Sequence, residues 1–168
     1  ANPLVKVSIV PRGVSALGYA QYLPKEQSIY QVEQMIDDIC MSLGGRVAES
    51  IIFGKISTGA LSDLERVTQI AYSMISIYGM SEKIGNISFY NLNNSESSFS
   101  KPYSEDTSKT IDSEVRDLIS LCYNRTEKLL FSRIKELRII AKELLKKEVI
   151  FKSDLERLIG ERPIIKKL

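Results

Sequence analysis

Two acidic residues, Glu49 and Asp63, lie at positions where a carboxylate could bind a metal ion rather than simply face solvent. Asp63 follows a turn of small residues at 57–59 and opens a predicted helix, in which Ser62 and Glu65 have the S-x-x-E spacing of a capping box. Helix dipoles favour acidic residues in the first turn, so a purely structural role explains Asp63. Glu49 is equally compatible with a solvated helix surface. The alternative is that both carboxylates belong to a metal site.

The rest of the chain supplies few partners for such a site. It has no histidine, so it lacks the commonest general base and the commonest zinc ligand. By itself it can form neither a Ser-His-Asp triad nor a complete histidine-based metal site. Cys40 and Cys122 both lie within helical patterns, and we expect them to be small buried apolar side chains.

The helix that carries Glu49 is predicted over about 30–53, because apolar residues recur there at i, i+3 and i+4. Gly54 follows in the position expected just past a helix C-terminus. Gly44 and Gly45 lie inside this helix and cost about 1–2 kcal/mol relative to alanine. The usual reason to accept that cost is the close approach of another backbone or of a site.

The remaining elements follow from the same kind of pattern. Residues 4–10 nearly alternate as a half-buried strand, and residues 17–23 form a second strand-like run. Further amphipathic helices are predicted over about 62–79, 105–130, 133–147 and 153–160. The polar, aperiodic residues 91–106 are predicted to be a mobile loop, and the tail 161–168 is predicted to be frayed. The expected fold is therefore mainly α: a single helical domain, 1–168, with a small β-unit at its N-terminus.

Composition excludes several classes of function. The chain has 168 residues, 43% hydrophobic and 26% charged, which suits one compact domain with a real core. A net charge of +2 gives no electrostatic basis for binding nucleic acid. Its apolar runs are too short to predict a membrane-spanning segment.

Several segments form a distinctive series when they are taken together. They read LVKVSIVPRG, LGYAQYLPKEQ, LGGRVAE, IIFG, STGALSDLERVTQIAYSMI, YGMSEKIG, KPYSEDTSKTIDSEV, YNRTEKLL, LLKKEVI and LIGERP. In this order and spacing they resemble the peptidase domain of FtsH-type (AAA) ATP-dependent zinc metalloproteases, over nearly the whole chain. The wording GYAQYLPKEQ is closer to the mitochondrial inner-membrane m-AAA branch than to typical bacterial members.

The resemblance implies a zinc site to which this chain contributes one ligand. In the family, two histidines of an HExxH helix and an aspartate in a TGA-x-x-D-L segment bind the metal, and that aspartate is Asp63 here. Zinc accepts such nitrogen and oxygen ligands and keeps a position for water, which the HExxH glutamate deprotonates. Glu49 matches the glutamate of the family's GGR-x-A-E motif and would orient a ligand histidine. The family usually has a second acidic residue next, where this chain has Ser50.

The HExxH helix is absent from this chain and is expected just upstream of Ala1. No catalytic residue is therefore assigned here, and the chain by itself is expected to be soluble and inactive. The resemblance further implies polypeptide substrates, an upstream module that binds ATP, and membrane segments outside this chain. It also implies a homo- or hetero-hexameric ring, located in the mitochondrial inner membrane.

The N-terminal strand has a functional reading of its own. An exposed strand edge beside a protease cleft can pair with an extended substrate through backbone hydrogen bonds. Val5, Lys6, Val7, Ser8 and Ile9 are the candidate substrate-binding residues. The alternative is that this strand merely closes a small sheet.

Two hypotheses for the whole chain follow. In the first, it is part of the proteolytic domain of a membrane-bound, ATP-dependent zinc metalloendopeptidase that degrades unfolded or membrane-extracted proteins. In the second, it is a helical assembly or chaperone-like domain of a relative that has lost peptidase activity. An HExxH sequence encoded before Ala1 would decide for the first, and a degraded version of it for the second.

Overall fold

The computed structural model describes residues 3–11, 18–23, 28–89 and 103–161. Within these ranges the chain forms two compact units. The helical unit is Ile29–Leu130, and the sheet unit combines Ala1–Ser28 with Phe131–Leu168. The expectation of a mainly α fold with a small β-unit is confirmed.

Three helices build the helical unit, and their bounds are α1 Val32–Phe53, α2 Leu61–Ser76 and α3 Glu105–Ser132, which continues two residues past the unit. Their buried apolar residues recur at helical spacing, so each helix turns one continuous stripe towards a shared core. The core consists of Ile39, Leu43, Val47, Val67, Ala71, Met74, Ile75, Ile111, Val115 and Cys122. Cys122 is fully buried, as predicted, whereas Cys40 is only half-buried and packs against this cluster.

The ends of α1 are set by local chemistry. At its start, Gln31 N–H donates to the Gln34 side chain over 2.8 Å, which satisfies a backbone donor that the helix leaves free. At its end, Gly54 takes a left-handed conformation, with φ +64°, and donates its N–H to the Ser50 carbonyl. Glycine adopts this conformation without the steric cost that a Cβ brings.

The sheet unit contains three antiparallel strands in the order β2–β1–β3. Their bounds are β1 Leu4–Ser8, β2 Tyr19–Tyr22 and β3 Val149–Phe151. Two helices complete this unit, α4 Ile134–Lys147 and α5 Lys152–Ile159. The strand β3, whose Ile150 is fully buried, was not predicted from the sequence.

Two of the predicted segments, the mobile loop and the frayed tail, fall largely outside the described residues. Residues 91–102 of the predicted mobile loop are not described, and its last two residues, Glu105 and Asp106, already belong to α3. Of the predicted frayed tail, only Glu161 is described. None of the described helices is long and apolar enough to span a membrane.

Candidate functional site

Asp63 is the third residue of α2 and its side chain is exposed. In the described part of the chain, no hydrogen bond or ion pair engages its carboxylate. The prediction that Asp63 lies in the first turn of a helix is confirmed. Its carboxylate, at the positive end of the helix dipole, is therefore free to accept a hydrogen bond or to bind a metal ion.

The predicted capping box at Ser62 is wrong. The helix α2 begins one residue earlier, at Leu61, and its N-cap Ala60 has no side chain that could accept a hydrogen bond. A short 3-10 turn, Thr58–Ala60, precedes α2 and already curls the backbone. The capping therefore happens further upstream, where the Ser57 hydroxyl accepts a hydrogen bond from Gly59 N–H over 3.3 Å.

Ser57 is also held by two side chains of α1. Its N–H donates to Glu49 Oε2 over 3.0 Å, and its carbonyl accepts from Arg46 Nη1 over 3.0 Å. Both polar groups of the Ser57 backbone are thus satisfied by residues that lie three apart on one face of a helix. We call this arrangement of Arg46, Glu49 and Ser57 the Ser57 clamp.

The electrostatics of the Ser57 clamp keep Glu49 ionised. Hydrogen bonds from the Ser57 side chain and backbone N–H lower the pKa of Glu49 below its ordinary value, and the nearby Arg46 guanidinium lowers it further. Each of these contacts favours the charged carboxylate over the neutral acid. Glu49 therefore remains an acceptor at neutral pH.

Asp63 does not have enough neighbours for a complete metal site. Across residues 3–11, 18–23, 28–89 and 103–161, no three Asp, Glu, Cys or His side chains come together as a metal-binding group. Zinc in a catalytic site takes three protein ligands, so one carboxylate does not hold it alone. The described residues fit the role of one ligand to a shared site.

The substrate-binding prediction for the N-terminal strand rested on a free edge, and that premise is wrong. The strand β1 lies in the middle of the sheet, where Lys6, Val7 and Ser8 pair with β2 on one side and with β3 on the other. Ile9 N–H continues the second ladder by donating to the Glu148 carbonyl over 2.9 Å. Backbone groups already paired within a sheet cannot add a substrate strand.

Two further details of β1 concern Val5 and the Ser8 side chain. Val5 falls at an irregularity of the β1–β2 register, between the pairs formed by Leu4 and Lys6. The Ser8 side chain is buried, and its hydroxyl accepts from Val10 N–H over 3.1 Å. The pairing of Lys6, Val7 and Ser8 on both sides favours the alternative reading, in which the strand closes a small sheet. The substrate-binding role of the five residues stays a prediction.

Gly44 and Gly45 meet no close neighbour in the described part of the chain. A Cβ built on either residue would find no other heavy atom within 4 Å beyond its own helix backbone. The expected close approach is therefore not made by any described segment. Among the described residues, nothing covers α1 at these two glycines.

Sequence reasoning missed Arg46 and Ser57 as members of the site. The available signal was the spacing of Arg46 and Glu49, which lie three residues apart on α1 and so share a face. Nothing in the sequence shows which backbone those two side chains would reach, because Ser57 lies beyond the turn that Gly54 starts.

Comparisons with known proteins identify the family of the chain. The model of peptidase family M41 matches residues 1–158. The chain is 53% identical over 167 residues to the mitochondrial inner membrane m-AAA protease component AFG3L2 of Mus musculus, which covers 99% of this chain and 21% of that protein. It is 50% identical over 165 residues to the ATP-dependent zinc metalloprotease FtsH of Rhodothermus marinus, which covers 96% of this chain and 24% of that protein.

A plant relative extends the same series. The ATP-dependent zinc metalloprotease FTSH 10, mitochondrial, of Arabidopsis thaliana is 48% identical over 163 residues, or 97% of this chain and 20% of that protein. The chain thus spans between a fifth and a quarter of the length of these relatives. The matched range of the family model, residues 1–158, covers most of the chain, so the chain belongs to peptidase family M41.

Proposed function

We propose that the chain is part of the proteolytic domain of an ATP-dependent zinc metalloendopeptidase, and that Asp63 is its zinc-ligand residue. The observation that carries this proposal is the exposed Asp63 carboxylate, which has no partner among the described residues and stands at the start of α2. It occupies that place in a chain whose match to peptidase family M41 runs through it.

The other ligands would come from outside this chain. With no histidine here, two ligand histidines and the general base are assigned to an HExxH helix in a longer protein. Bound zinc would supply an activated water molecule for peptide hydrolysis. The part played by this chain is to present Asp63 in a fixed direction from a helix terminus, while Glu49 supports the site from α1.

The assembly and its setting are proposed from what the relatives' names say of those proteins. AFG3L2 and AFG3L1 of Mus musculus are components of mitochondrial inner membrane m-AAA proteases. For the longer protein we propose the same membrane, a homo- or hetero-hexameric ring, an ATP-binding module outside this chain, and unfolded or membrane-extracted polypeptides as substrates.

The decisive experiment replaces Asp63 in the longer protein that carries the HExxH helix. We expect Asp63→Ala to weaken zinc binding by more than about 100-fold, since loss of a direct ligand should exceed the effect of losing an outer contact. Zinc content and casein cleavage are measured on the same preparation. The matched control is Asp106→Ala, which removes an exposed first-turn aspartate from α3.

Unchanged zinc content in Asp63→Ala would refute the ligand assignment. Zinc binding without casein cleavage in the unmodified protein would instead favour an assembly or chaperone-like role. The sequence encoded before Ala1 gives an independent check, because an intact HExxH there is required by the proposal.

A further inference from the structure

The connection between α1 and α2 has little apolar packing to hold it in place. Residues 54–59 are all exposed, and Ala60 is the first buried residue after them. A loop of this kind is expected to sample several conformations unless specific polar contacts hold it. Asp63 lies three residues after Ala60, in the first turn of the helix into which this loop leads.

The Ser57 clamp supplies the specific contacts. Arg46 holds the Ser57 carbonyl and Glu49 holds the Ser57 N–H, each over 3.0 Å. Ser57 is thereby kept extended, with φ −120° and ψ −178°, in the conformation from which its hydroxyl caps Gly59. Next to it, the Thr58 carbonyl accepts from the N–H of Leu61, the first residue of α2, so hydrogen bonds hold both ends of the short turn before α2.

We propose that Arg46 and Glu49 are positioning residues that grip the Ser57 backbone from two sides and so fix the direction in which α2 presents Asp63. The inference rests on the proposed function, because it takes Asp63 to be the zinc ligand. It adds Arg46 to the site, and it gives Glu49 a contact role that needs no ligand histidine.

A positioning role and a general stabilising role predict different effects on zinc affinity and on the free energy of unfolding. Polar contacts among exposed side chains contribute little to the free energy of unfolding. Metal sites tolerate little displacement of a ligand, and contacts that orient ligands commonly change metal affinity by about 10–100-fold. Loss of the Ser57 clamp should therefore lower the zinc affinity much more than it lowers the stability of the fold.

The test uses the longer protein with its HExxH helix and measures its dissociation constant for zinc by competition with a chelator. We expect Arg46→Ala and Glu49→Ala each to weaken zinc binding about 10–100-fold. Glu49→Gln keeps an oxygen that can accept from Ser57 N–H, and it should retain most of the affinity. Glu33→Ala and Arg138→Ala remove exposed charges from α1 and α4 and should leave zinc binding unchanged.

Three further readouts distinguish positioning from folding. The zinc-free forms of Arg46→Ala and Glu49→Ala should unfold within about 3 °C of the control variants, as expected when exposed polar contacts are lost from a chain of this size. With cobalt in place of zinc, their visible absorption spectra should shift, because the ligand field reports the geometry of Asp63. In peptide hydrolysis, kcat should fall while KM changes little.

The possible outcomes separate this inference from the proposed function. If Asp63→Ala abolishes zinc binding while Arg46→Ala and Glu49→Ala bind zinc normally, the clamp inference fails and the ligand assignment stands. If Asp63→Ala binds zinc normally, both fail. If the clamp variants lose stability in the zinc-free form in proportion to their lost affinity, the clamp is a general structural feature and the inference is wrong.

Discussion

Glu114 shows how much a single residue organises in the helical unit. It lies on α3 and accepts a hydrogen bond from the buried Ser81 hydroxyl over 2.7 Å, while Lys83 pairs with its other oxygen over 2.6 Å. Both contacts tie the segment after α2 to α3. The hydrogen bonds from Lys83 and Ser81 lower the pKa of Glu114 below its ordinary value of 4.5.

The pKa of Glu114 predicts a pH dependence of stability. A carboxyl whose folded pKa is lowered contributes fully above the unfolded value of 4.5, and its contribution is lost as pH falls through the lower folded value. Glu114→Gln should cost about 1 kcal/mol of unfolding free energy at neutral pH and close to nothing in strong acid. Urea unfolding of both proteins between neutral and strongly acidic pH measures this difference.

The control for this pH experiment lies on the same helix. Glu127 is an exposed glutamate of α3, and Glu127→Gln should have little effect at any pH. An undiminished difference between wild type and Glu114→Gln in strong acid would contradict the assignment.

At the scale of elements, α1 carries both the clamp and a pair of glycines that the described residues leave uncovered. Its length and its end at Gly54 follow from periodicity and from the left-handed conformation that glycine permits. The prediction that Gly44 and Gly45 admit a close neighbour stays open for segments outside the described residues. The glycine positions can be tested directly.

Alanine should have opposite effects on the unfolding free energy at two glycines, Gly45 inside α1 and Gly54 just past its end. Gly45→Ala should raise the unfolding free energy by about 1 kcal/mol, because alanine is the better helix former and its Cβ meets nothing within 4 Å in the described part of the chain. Gly54→Ala should lower it by about 1 kcal/mol, because φ +64° strains any residue that has a Cβ. Chemical denaturation of the chain measures both.

The two glycine variants control for each other, since neither Cβ would clash with a described atom. Destabilisation by Gly45→Ala would show that another part of the chain covers this face. A stabilised chain whose longer form binds zinc more weakly would show that the HExxH helix packs there.

At the scale of the whole molecule, the chain has two compact units rather than one uniform core. The sheet unit draws on both ends of the chain, since β3 pairs with β1 across more than a hundred residues of sequence. The helical unit is continuous from Ile29 to Leu130 and holds the clamp, Asp63 and both cysteines.

The thiols report on the opening of the helical unit as a whole. Burial, reinforced by the neighbouring Cys40 thiol, raises the pKa of Cys122 to about 12. Because the thiolate is the reactive form, Cys122 should be inert towards an aromatic disulfide reagent at pH 8 until the unit unfolds. The half-buried Cys40 should react first.

The experiment uses the variant Cys40→Ser, in which Cys122 is the single cysteine. It measures the rate at which the reagent releases its aromatic thiol on reaction with Cys122. Its reaction should be slow in native buffer and should accelerate along the urea unfolding curve. Fast labelling in native buffer would show that α1 and α3 separate without global unfolding.

The helices and the position of Asp63 could be read from the sequence because they depend on local information. The spacing of apolar residues predicted the ends of α1, α2 and α3 to within a few residues. The family motifs identified the candidate zinc ligand. Local patterns work there because helical hydrogen bonds join residues that are four apart.

Other features were decided only by tertiary structure. The strand β3 has three residues and no recognisable pattern of its own, and it exists because β1 offers it backbone partners. The same pairing places β1 in the middle of the sheet and removes the free edge that the sequence suggested. Arg46 and Glu49 reach Ser57 only because Gly54 turns the chain back alongside α1. Each of these contacts joins groups that no local period relates, so packing decides them.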